Sequence, residues 1–460
     1  MIEKSLKKIV GDSNFLTGKD VVSREESWGQ NKPCLAKAIV RPATTEELSE
    51  ILKLCHARGQ TVVTHGGRTG LAQGAISTAE DIIVSLERMA GIENINSQNR
   101  SMTVWAGTPL QKVQEAAAEA GLHFALDLGA RGSATIGGNI ATNAGGLSVI
   151  RYGMMREQVL GLEAVLADGT VVSSLNNLIK NNSGYDLKQL FIGSEGTLGI
   201  VTRATLRLRP AYIDYNTALL AVNSYQDIIE ILHRLDRDMA GSLLAFEVMW
   251  KSFYDAVTRA DSGRKPPLSN EYPYYILIET AVVNRERDMA YFQELLMAIM
   301  EDGLIVDAVI AKSDKERQLL WDLRDDVESV FNLGPMINFD ISLMINDLPQ
   351  YLLQTEKDVK EIWPDAFFIE FGHLGDNNLH LSVCINTDNV DQQTKLKNII
   401  YDNLKAFNGA VSAEHGIGLE KISYLPICRS KEEIVLMHCL KDALDPQKIL
   451  NPGKVIGESP

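Results

Sequence analysis

Apolar and polar positions follow two different rhythms, and the change comes near residue 210. Before it, short apolar runs alternate with glycine-rich stretches. Residues 36–40 predict a strand that Pro42 ends. Thr44 and Glu47 then make a capping box, and Leu48, Ile51, Leu52 and Cys55 recur at helical spacing. Residues 61–64 predict the next strand, so 36–64 reads as β-α-β, running straight into glycines. Strands follow at 81–86 and 101–106. Thr108 predicts the cap of a helix that begins with Pro109, where the missing N–H costs nothing, and stops at Gly121. Strands at 162–166 and 170–173 flank Asp168-Gly169, a hairpin signal, and a strand at 199–208 is closed by Pro210.

After residue 210 glycine thins out, and longer helical patterns alternate with β-rich runs such as 274–283. Residues 262–273, with Lys265-Pro266-Pro267, predict a surface loop. Phe367, Ile369, Phe371 and His373 alternate on one strand face. After Gly375-Asp376-Asn377, His380, Ser382 and Cys384 alternate on the next, so a hairpin can bring the two imidazoles together. The tail predicts a helix at 431–444, then turns at Asp445-Pro446 and Asn451-Pro452-Gly453.

Length and charge narrow the classes. A chain of 460 residues is too long for one core and predicts two or three domains. A net charge of −15 without a basic stripe argues against a nucleic-acid partner. Five scattered cysteines without a C-x-x-C pair read as reduced, mostly buried thiols of a cytosolic protein. The first residues lack an apolar signal region, and no run of about eighteen apolar residues predicts a transmembrane helix.

Two constellations carry chemistry. The segment 127–146 is the densest in glycine and small polar residues, with Ser133, Asn139, Thr142 and Asn143 between the glycines. Such a loop suits a pyrophosphate held by backbone N–H groups, and a ligand-free turn is the bland alternative. It is neither a Rossmann fingerprint nor a P-loop. With Gly66–Gly70 and Gly193–Gly199 it makes three glycine loops, which one extended dinucleotide explains more simply than three independent turns. The second constellation is His373, His380 and the pair Glu414-His415. Two imidazoles and a carboxylate suit zinc with an open position or non-heme iron, and alone would suggest a metallohydrolase.

Gly66-Gly67-Arg68-Thr69-Gly70-Leu71, the 127–146 segment, Arg151-Tyr152-Gly153, and residues 159–170 and 186–200 together resemble the FAD-binding domain of the vanillyl-alcohol-oxidase-like flavoproteins. Within them the chain resembles the D-2-hydroxyacid dehydrogenase branch, which includes D-2-hydroxyglutarate, D-lactate and glycolate dehydrogenases. The match runs in order over roughly 35–455. The resemblance implies an α+β fold. It places an N-terminal helical segment at 1–32 and a two-subdomain FAD-binding domain at 33–210. An antiparallel-sheet substrate (cap) domain with the metal site follows at 211–415, and a C-terminal helical segment at 416–460 returns to the FAD. It further implies that Gly66, Gly67, Arg68, Thr69, Gly70 and Leu71 wrap the FAD pyrophosphate. Asp127, Gly132, Ser133, Gly137, Gly138, Asn139, Thr142, Asn143, Gly145 and Gly146 would line the path from adenine to isoalloxazine. Glu195, Gly196, Gly199 and Ile200 would complete the adenine side, and Asn451 would return to the flavin. Some relatives tether FAD through a histidine after the first Gly-Gly. Arg68 stands there in this chain, so non-covalent FAD is expected, with His65 a packed or backbone-bonded residue.

The spacing H-x6-H followed by E-H-G-x-G matches the family's site. By that resemblance His373, His380 and Glu414 bind a divalent metal, often zinc, and His415 is the base. A metal chelated by a 2-hydroxy acid lowers the hydroxyl pKa, a neutral imidazole takes the proton, and FAD accepts the hydride. Asn378 would orient the substrate or a ligand histidine, and Asp376 reads as a turn residue or a partner behind the ligands rather than a metal ligand. Trp321-Asp322-Leu323-Arg324 resembles the segment that supplies an arginine for the substrate carboxylate; the bland reading is a helix-surface charge paired with Asp325 or Glu328.

Departures begin beyond it. Relatives acting on 2-hydroxyglutarate carry Thr where Glu328 stands, Lys where Asn338 stands, and often Asn where Ser382 stands. That weakens the case for a second substrate carboxylate and favours lactate, malate or another 2-hydroxy acid over 2-hydroxyglutarate, with Asn338 and Ser382 as substrate-site residues. The expectation is oxidation of a small D-2-hydroxy acid to the 2-oxo acid by a cytoplasmic homodimer. Electron-transfer flavoprotein, a quinone or a cytochrome would accept the electrons, and peripheral contact with a membrane is left open. The rivals are a synthase of the alkyldihydroxyacetone-phosphate type without net redox, a metallohydrolase with a structural flavin, and a flavin-containing electron carrier.

Overall fold

The computed structural model describes residues 2–28, 33–259 and 264–457. The chain divides into two compact units, one of residues 1–146, 152–211 and 414–460, the other of 147–151 and 212–413.

The first unit holds two principal sheets. In one, Phe15–Leu16 pairs antiparallel with Ala38–Val40, which lies parallel to Ile82–Ser85, itself parallel to Val62–His65. The helix Thr45–His56 makes the crossover and buries Leu48, Ile51, Leu52 and Cys55, the face its spacing predicts. Thr44 accepts the Glu47 N–H at its start, while the Glu47 carboxylate reaches the N–H of Ala43 rather than that of Thr44. The second sheet is antiparallel, in the order Ile92–Asn96, Ser101–Trp105, Ile200–Arg207, Val159–Val165, Val171–Ser174. The glycine-dense segment forms the short helix Ile136–Ala141, capped by Thr135.

One expected cap is corrected. The helix after Pro109 runs Leu110–Glu119 with no side-chain cap. The Thr108 hydroxyl instead bonds the Gly91 and Trp105 carbonyls and accepts the Gly91 N–H, closing the strand connection behind it. The tail helix Lys431–Leu444 matches its predicted bounds and carries a Ser430/Glu433 capping box. Its Lys441 ammonium, buried against Asp445, also bonds the Thr197 and Leu450 carbonyls. That tie brings Leu450 into a bridge with Val62 and Asn451 beside Thr64.

The second unit is built on a seven-stranded antiparallel sheet, counted among the described residues. Its order is Asp307–Ile310, Asp214–Val222, Tyr274–Val282, Leu243–Trp250, Phe367–His373, Asn378–Cys384, Met336–Ser342. Helices Tyr225–Asp238 and Arg285–Glu301 pack on one face through Ile228, Ile231, Leu235, Phe292 and Leu296. Helices Lys251–Val257 and Asp314–Arg324 cover the other through Phe253, Leu320, Trp321 and Leu323, against Ala245, Met249 and Phe371. Of the loop expected at 262–273, residues 264–273 are neither helix nor strand, and residues 262 and 263, like 1 and 29–32 of the N-terminal segment, lie outside the described residues. Among the described residues no helix is long and apolar enough to cross a membrane.

Candidate functional site

In the second unit the predicted hairpin is present, Phe367–His373 paired with Asn378–Cys384. Asn377 adopts a left-handed conformation at the turn, which asparagine tolerates. Register then places polar residues side by side on the face covered by helix Asp314–Arg324. Glu247 stands opposite His373, Phe371 opposite His380, and His380 opposite Asp340. Directly opposed residues share a face of a sheet, so Glu247, His373, His380 and Asp340 form a polar stripe across four neighbouring strands. The imidazoles of His373 and His380 lie with ring centroids 5.3 Å apart, nearly perpendicular.

Each histidine has an acidic neighbour. The Glu247 carboxylate accepts from His373 Nδ1 at 2.6 Å and from Arg324 Nε at 2.8 Å. Burial pushes the Glu247 carboxyl up, but His373 and Arg324 outweigh it and hold it below the usual carboxyl range. Asp340 Oδ1 is 3.9 Å from His380 Nδ1 and accepts from Asn378 Nδ2 at 2.8 Å. Asn378 Oδ1 is buried without a hydrogen-bond partner among the described residues. Ser382 donates to Asn338 Oδ1 at 2.6 Å further along the same two strands.

The bland reading of Arg324 as a surface charge does not hold. It is buried, its partner is Glu247 rather than Asp325 or Glu328, and its guanidinium lies 4.8 Å from the Phe371 ring centre. Glu328 is exposed on the short helix Val327–Phe331, with its charge in solvent. Glu247 and Asp340 escaped the sequence reading as site residues, although each is a lone carboxylate in an apolar strand, Leu-Leu-Ala-Phe-Glu-Val-Met-Trp and Met-Ile-Asn-Phe-Asp-Ile-Ser.

The first unit contains a cleft lined by Gly66, Gly67, Arg68, Thr69, Gly70, Gly137, Gly138, Asn139, Thr142, Glu195, Gly196, Gly199, Ile200, Asn451 and also His415. The three glycine loops thus meet, as one extended ligand requires. Leu71, Asp127, Gly132, Ser133, Asn143, Gly145 and Gly146 stand outside that lining. Several of them hold the loops in place. Asp127 pairs with Arg131, its carbonyl presses on Gly146, and the Ser133 carbonyl presses on Gly67. Asn143 Oδ1 accepts the Arg156 N–H at 2.9 Å. A side chain on Gly145 would meet Glu414 Oε1 at 2.6 Å. His65 is fully buried with Nε2 2.8 Å from the Ala75 carbonyl, and desolvation lowers its pKa to about 3, so it is packed, backbone-bonded and neutral.

Glu195 organises the His415 loop. Its Oε1 accepts the Ile417 N–H at 2.7 Å and its Oε2 the Gly418 N–H at 2.9 Å. Burial raises its carboxyl pKa against the pull of those two bonds. Asn451 Nδ2 donates to the Glu195 carbonyl at 2.6 Å, and Asn451 Oδ1 accepts from the Thr64 N–H at 2.9 Å. The loop can pass only as glycine, because a Cβ on Gly416 would lie 2.6 Å from Glu195 Oε1 and one on Gly418 only 1.8 Å from the Ala72 carbonyl oxygen.

The donor sets fit the groups the sequence implies. Thr64 and Asn139 line the cleft, and Thr64 Oγ1 and Asn139 Nδ2 are buried without hydrogen-bond partners among the described residues, as a polar ligand with complementary groups would require. On the sheet, a histidine that gives Nδ1–H to a carboxylate is the arrangement in which metal-binding imidazoles are found.

Comparison with known proteins agrees on the fold and lineage. The profile described as "FAD binding domain" matches residues 36–174, and "FAD linked oxidases, C-terminal domain" matches 214–455, running from the second unit back into the first. D-2-hydroxyglutarate dehydrogenase of Xanthomonas citri pv. viticola is 41% identical over 91% of this chain and 89% of its own. A putative mitochondrial D-lactate dehydrogenase of Schizosaccharomyces pombe is 35% identical over 91% of this chain and 81% of its own. Among solved structures, p-cresol methylhydroxylase with substrate bound superposes with a TM-score of 0.78 at 14% identity, over 99% of this chain and 96% of its own. The fold is the α+β fold of the vanillyl-alcohol-oxidase type, and the chain belongs to the FAD-linked oxidase family, alongside the D-2-hydroxyacid dehydrogenases it matches in sequence.

Proposed function

We propose that this protein oxidises a D-2-hydroxy acid to the 2-oxo acid, with non-covalent FAD in the first unit and a divalent metal, zinc in our reading, bound through His373, His380 and Glu414. The observation that carries this is the His373–His380 pair on a sheet face with Glu247 fixing one ring, in a chain related to D-2-hydroxyglutarate dehydrogenases. Bound FAD supplies the acceptor for a hydride, which no side chain can be. A bound divalent ion supplies Lewis acidity at the substrate hydroxyl.

The chain's own residues do the rest. Ser342 and Ala410 exchange backbone bonds, and Ser412 Oγ donates to Asp340 Oδ2 at 3.2 Å, pinning the strand end beside His380. Glu414 follows two residues later, about 7 Å of chain, which makes it the carboxylate ligand of choice. His415, in the flavin cleft, takes the hydroxyl proton. Arg324 binds the substrate carboxylate, Asn378 offers its Oδ1, and Asn338 and Ser382 meet the distal end of the substrate with an amide and a hydroxyl. Glu328 lies in solvent, so its charge does not bar a longer dicarboxylate, and D-2-hydroxyglutarate, D-lactate and D-malate all belong in the panel. The unit of residues 1–146, 152–211 and 414–460 is the FAD-binding domain, and the seven-stranded unit is the substrate domain. We further propose a cytoplasmic homodimer that passes its electrons to an electron-transfer flavoprotein or a quinone.

The test is anaerobic mixing of metal-replete protein with D- and L-2-hydroxy acids while following the visible flavin absorbance. Bleaching with D-acids and not with L-acids is expected. Absence of bleaching across the whole panel would overturn the proposal.

A further inference from the structure

We infer that Glu247 is a positioning residue that serves metal and substrate together. It sets the tautomer of His373 with one carboxylate oxygen and the orientation of Arg324 with the other. This rests on the proposed function, because it takes His373 as a metal ligand and Arg324 as the substrate-carboxylate anchor.

The geometry divides the carboxylate cleanly. Oε1 lies 2.6 Å from His373 Nδ1, and Oε2 lies 2.8 Å from Arg324 Nε. Glu247 is 1% exposed, so water is not available to exchange for either partner. An ionised carboxylate only accepts hydrogen bonds. His373 Nδ1 therefore carries the proton, and Nε2 keeps the lone pair that a metal needs. Arg324 spends its Nε–H on Glu247 and lies over Phe371, whose ring centre is 4.4 Å from that of Phe253. The terminal guanidinium nitrogens are then the ones to meet a substrate carboxylate, in a direction fixed by the two contacts.

Sequence makes the arrangement specific. Glu247 faces His373 across the Leu243–Trp250/Phe367–His373 ladder, while Arg324 ends the helix that covers the same face. A glutamine at 247 would have the same shape with one acceptor and one donor. If its oxygen turned to Arg324, its NH2 would face Nδ1 and drive the His373 proton to Nε2, removing the ligand lone pair. If its oxygen turned to His373, its NH2 would meet the Arg324 Nε–H donor to donor and release the guanidinium. No orientation of an amide satisfies both partners.

The experiment uses full-length, FAD-bound wild type, Glu247→Gln and His373→Ala. Each is stripped with chelator and titrated with Zn2+ against a competing indicator, and after reloading KM and kcat are measured separately. For Glu247→Gln we expect zinc affinity to fall about 10–100-fold or KM to rise about tenfold, with FAD content unchanged. Unchanged zinc affinity in His373→Ala would overturn the metal reading and this inference with it. Loss of zinc in His373→Ala, with Glu247→Gln within about twofold of wild type in both quantities, would overturn this inference alone. Should Glu247→Gln fail to fold, isotope-labelled histidines in stripped wild type report the His373 ring directly by NMR. The Nδ1–H tautomer is expected, and the Nε2–H tautomer would overturn the inference.

Discussion

The loop carrying Glu414 and His415 gives a prediction whose size can be worked out before it is measured. Gly418 has φ +50°, and an added Cβ would lie 1.8 Å from the Ala72 carbonyl oxygen, 2.7 Å from its carbon and 3.0 Å from the Gly74 nitrogen. All three are backbone atoms, so no side chain can swing aside. Gly453 is the matched control, with φ +72° and nothing within 4 Å of a built Cβ. Gly453→Ala should cost only the left-handed conformation, about 1–2 kcal/mol. Gly418→Ala should cost that and about 1–3 kcal/mol more for overpacking. At about 2–4 °C per kcal/mol for a unit of this size, Gly418→Ala should melt several degrees below Gly453→Ala. The transition can be followed by the fluorescence of released flavin. The displaced loop should also release the Ile417 and Gly418 N–H groups from Glu195, so Gly418→Ala should lose turnover out of proportion to its melting point. Equal melting points for the two variants would refute the steric reasoning.

Three further outcomes follow from the same structure. His415→Ala should keep FAD and lose about 10²–10⁴-fold in the rate of flavin reduction, the usual contribution of a general base; full-rate bleaching would remove His415 from the role of proton acceptor. Chelation or His380→Ala should abolish reduction by D-2-hydroxy acids while leaving flavin absorbance intact, and a stripped enzyme at full activity would show the metal assignment to be wrong. Glu163 is held to about 2, where 4.5 is usual, because Arg203, Thr45 and Thr202 together outweigh the burial that pushes it up. A depressed carboxyl stabilises the fold above its unfolded pKa and loses that contribution as pH falls through its folded pKa. The stability gap between wild type and Glu163→Gln, read from urea midpoints, should therefore be constant at neutral pH and close between pH 4.5 and about 2; a gap that widens on acidification would contradict the ion pair.

What the sequence disclosed was whatever depends on local order. Alternation along 367–384 predicted both strands of the His373–His380 hairpin, because side chains two apart share a face whatever lies beyond. The tail helix at 431–444 and the apolar face at Leu48–Cys55 depend on contacts within a turn or two, and helix positions there followed the pattern. Thr108 shows where the local rule fails. It is placed to cap, but Gly91 lies within reach across the strand connection and takes its hydroxyl instead. Glu247 shows what lies beyond local reading altogether. It meets His373 over 126 positions and Arg324 over 77, and the order of strands that makes them neighbours is set by packing of the whole sheet. The lone carboxylate within an apolar strand was the available signal, since a buried charge requires partners.

That signal points to a general feature of this site. The residues expected to touch metal or substrate lie on elements far apart in sequence, and their orientation depends on residues with no role in the chemistry. Glu195 holds the His415 loop by two backbone N–H groups, as Glu247 holds His373 and Arg324 by one oxygen each. In both cases a carboxylate with two partners supplies geometry, because an oxygen that accepts from a fixed N–H sets which atom opposite must donate. A substitution that keeps volume but adds a donor, glutamate to glutamine, should therefore harm either position more than its small change in shape suggests. A change at Glu328, exposed on its helix, should leave metal and flavin in place. Activity should be most sensitive to substitution at positions such as Glu195 and Glu247, whose carboxylates each hold two fixed donors.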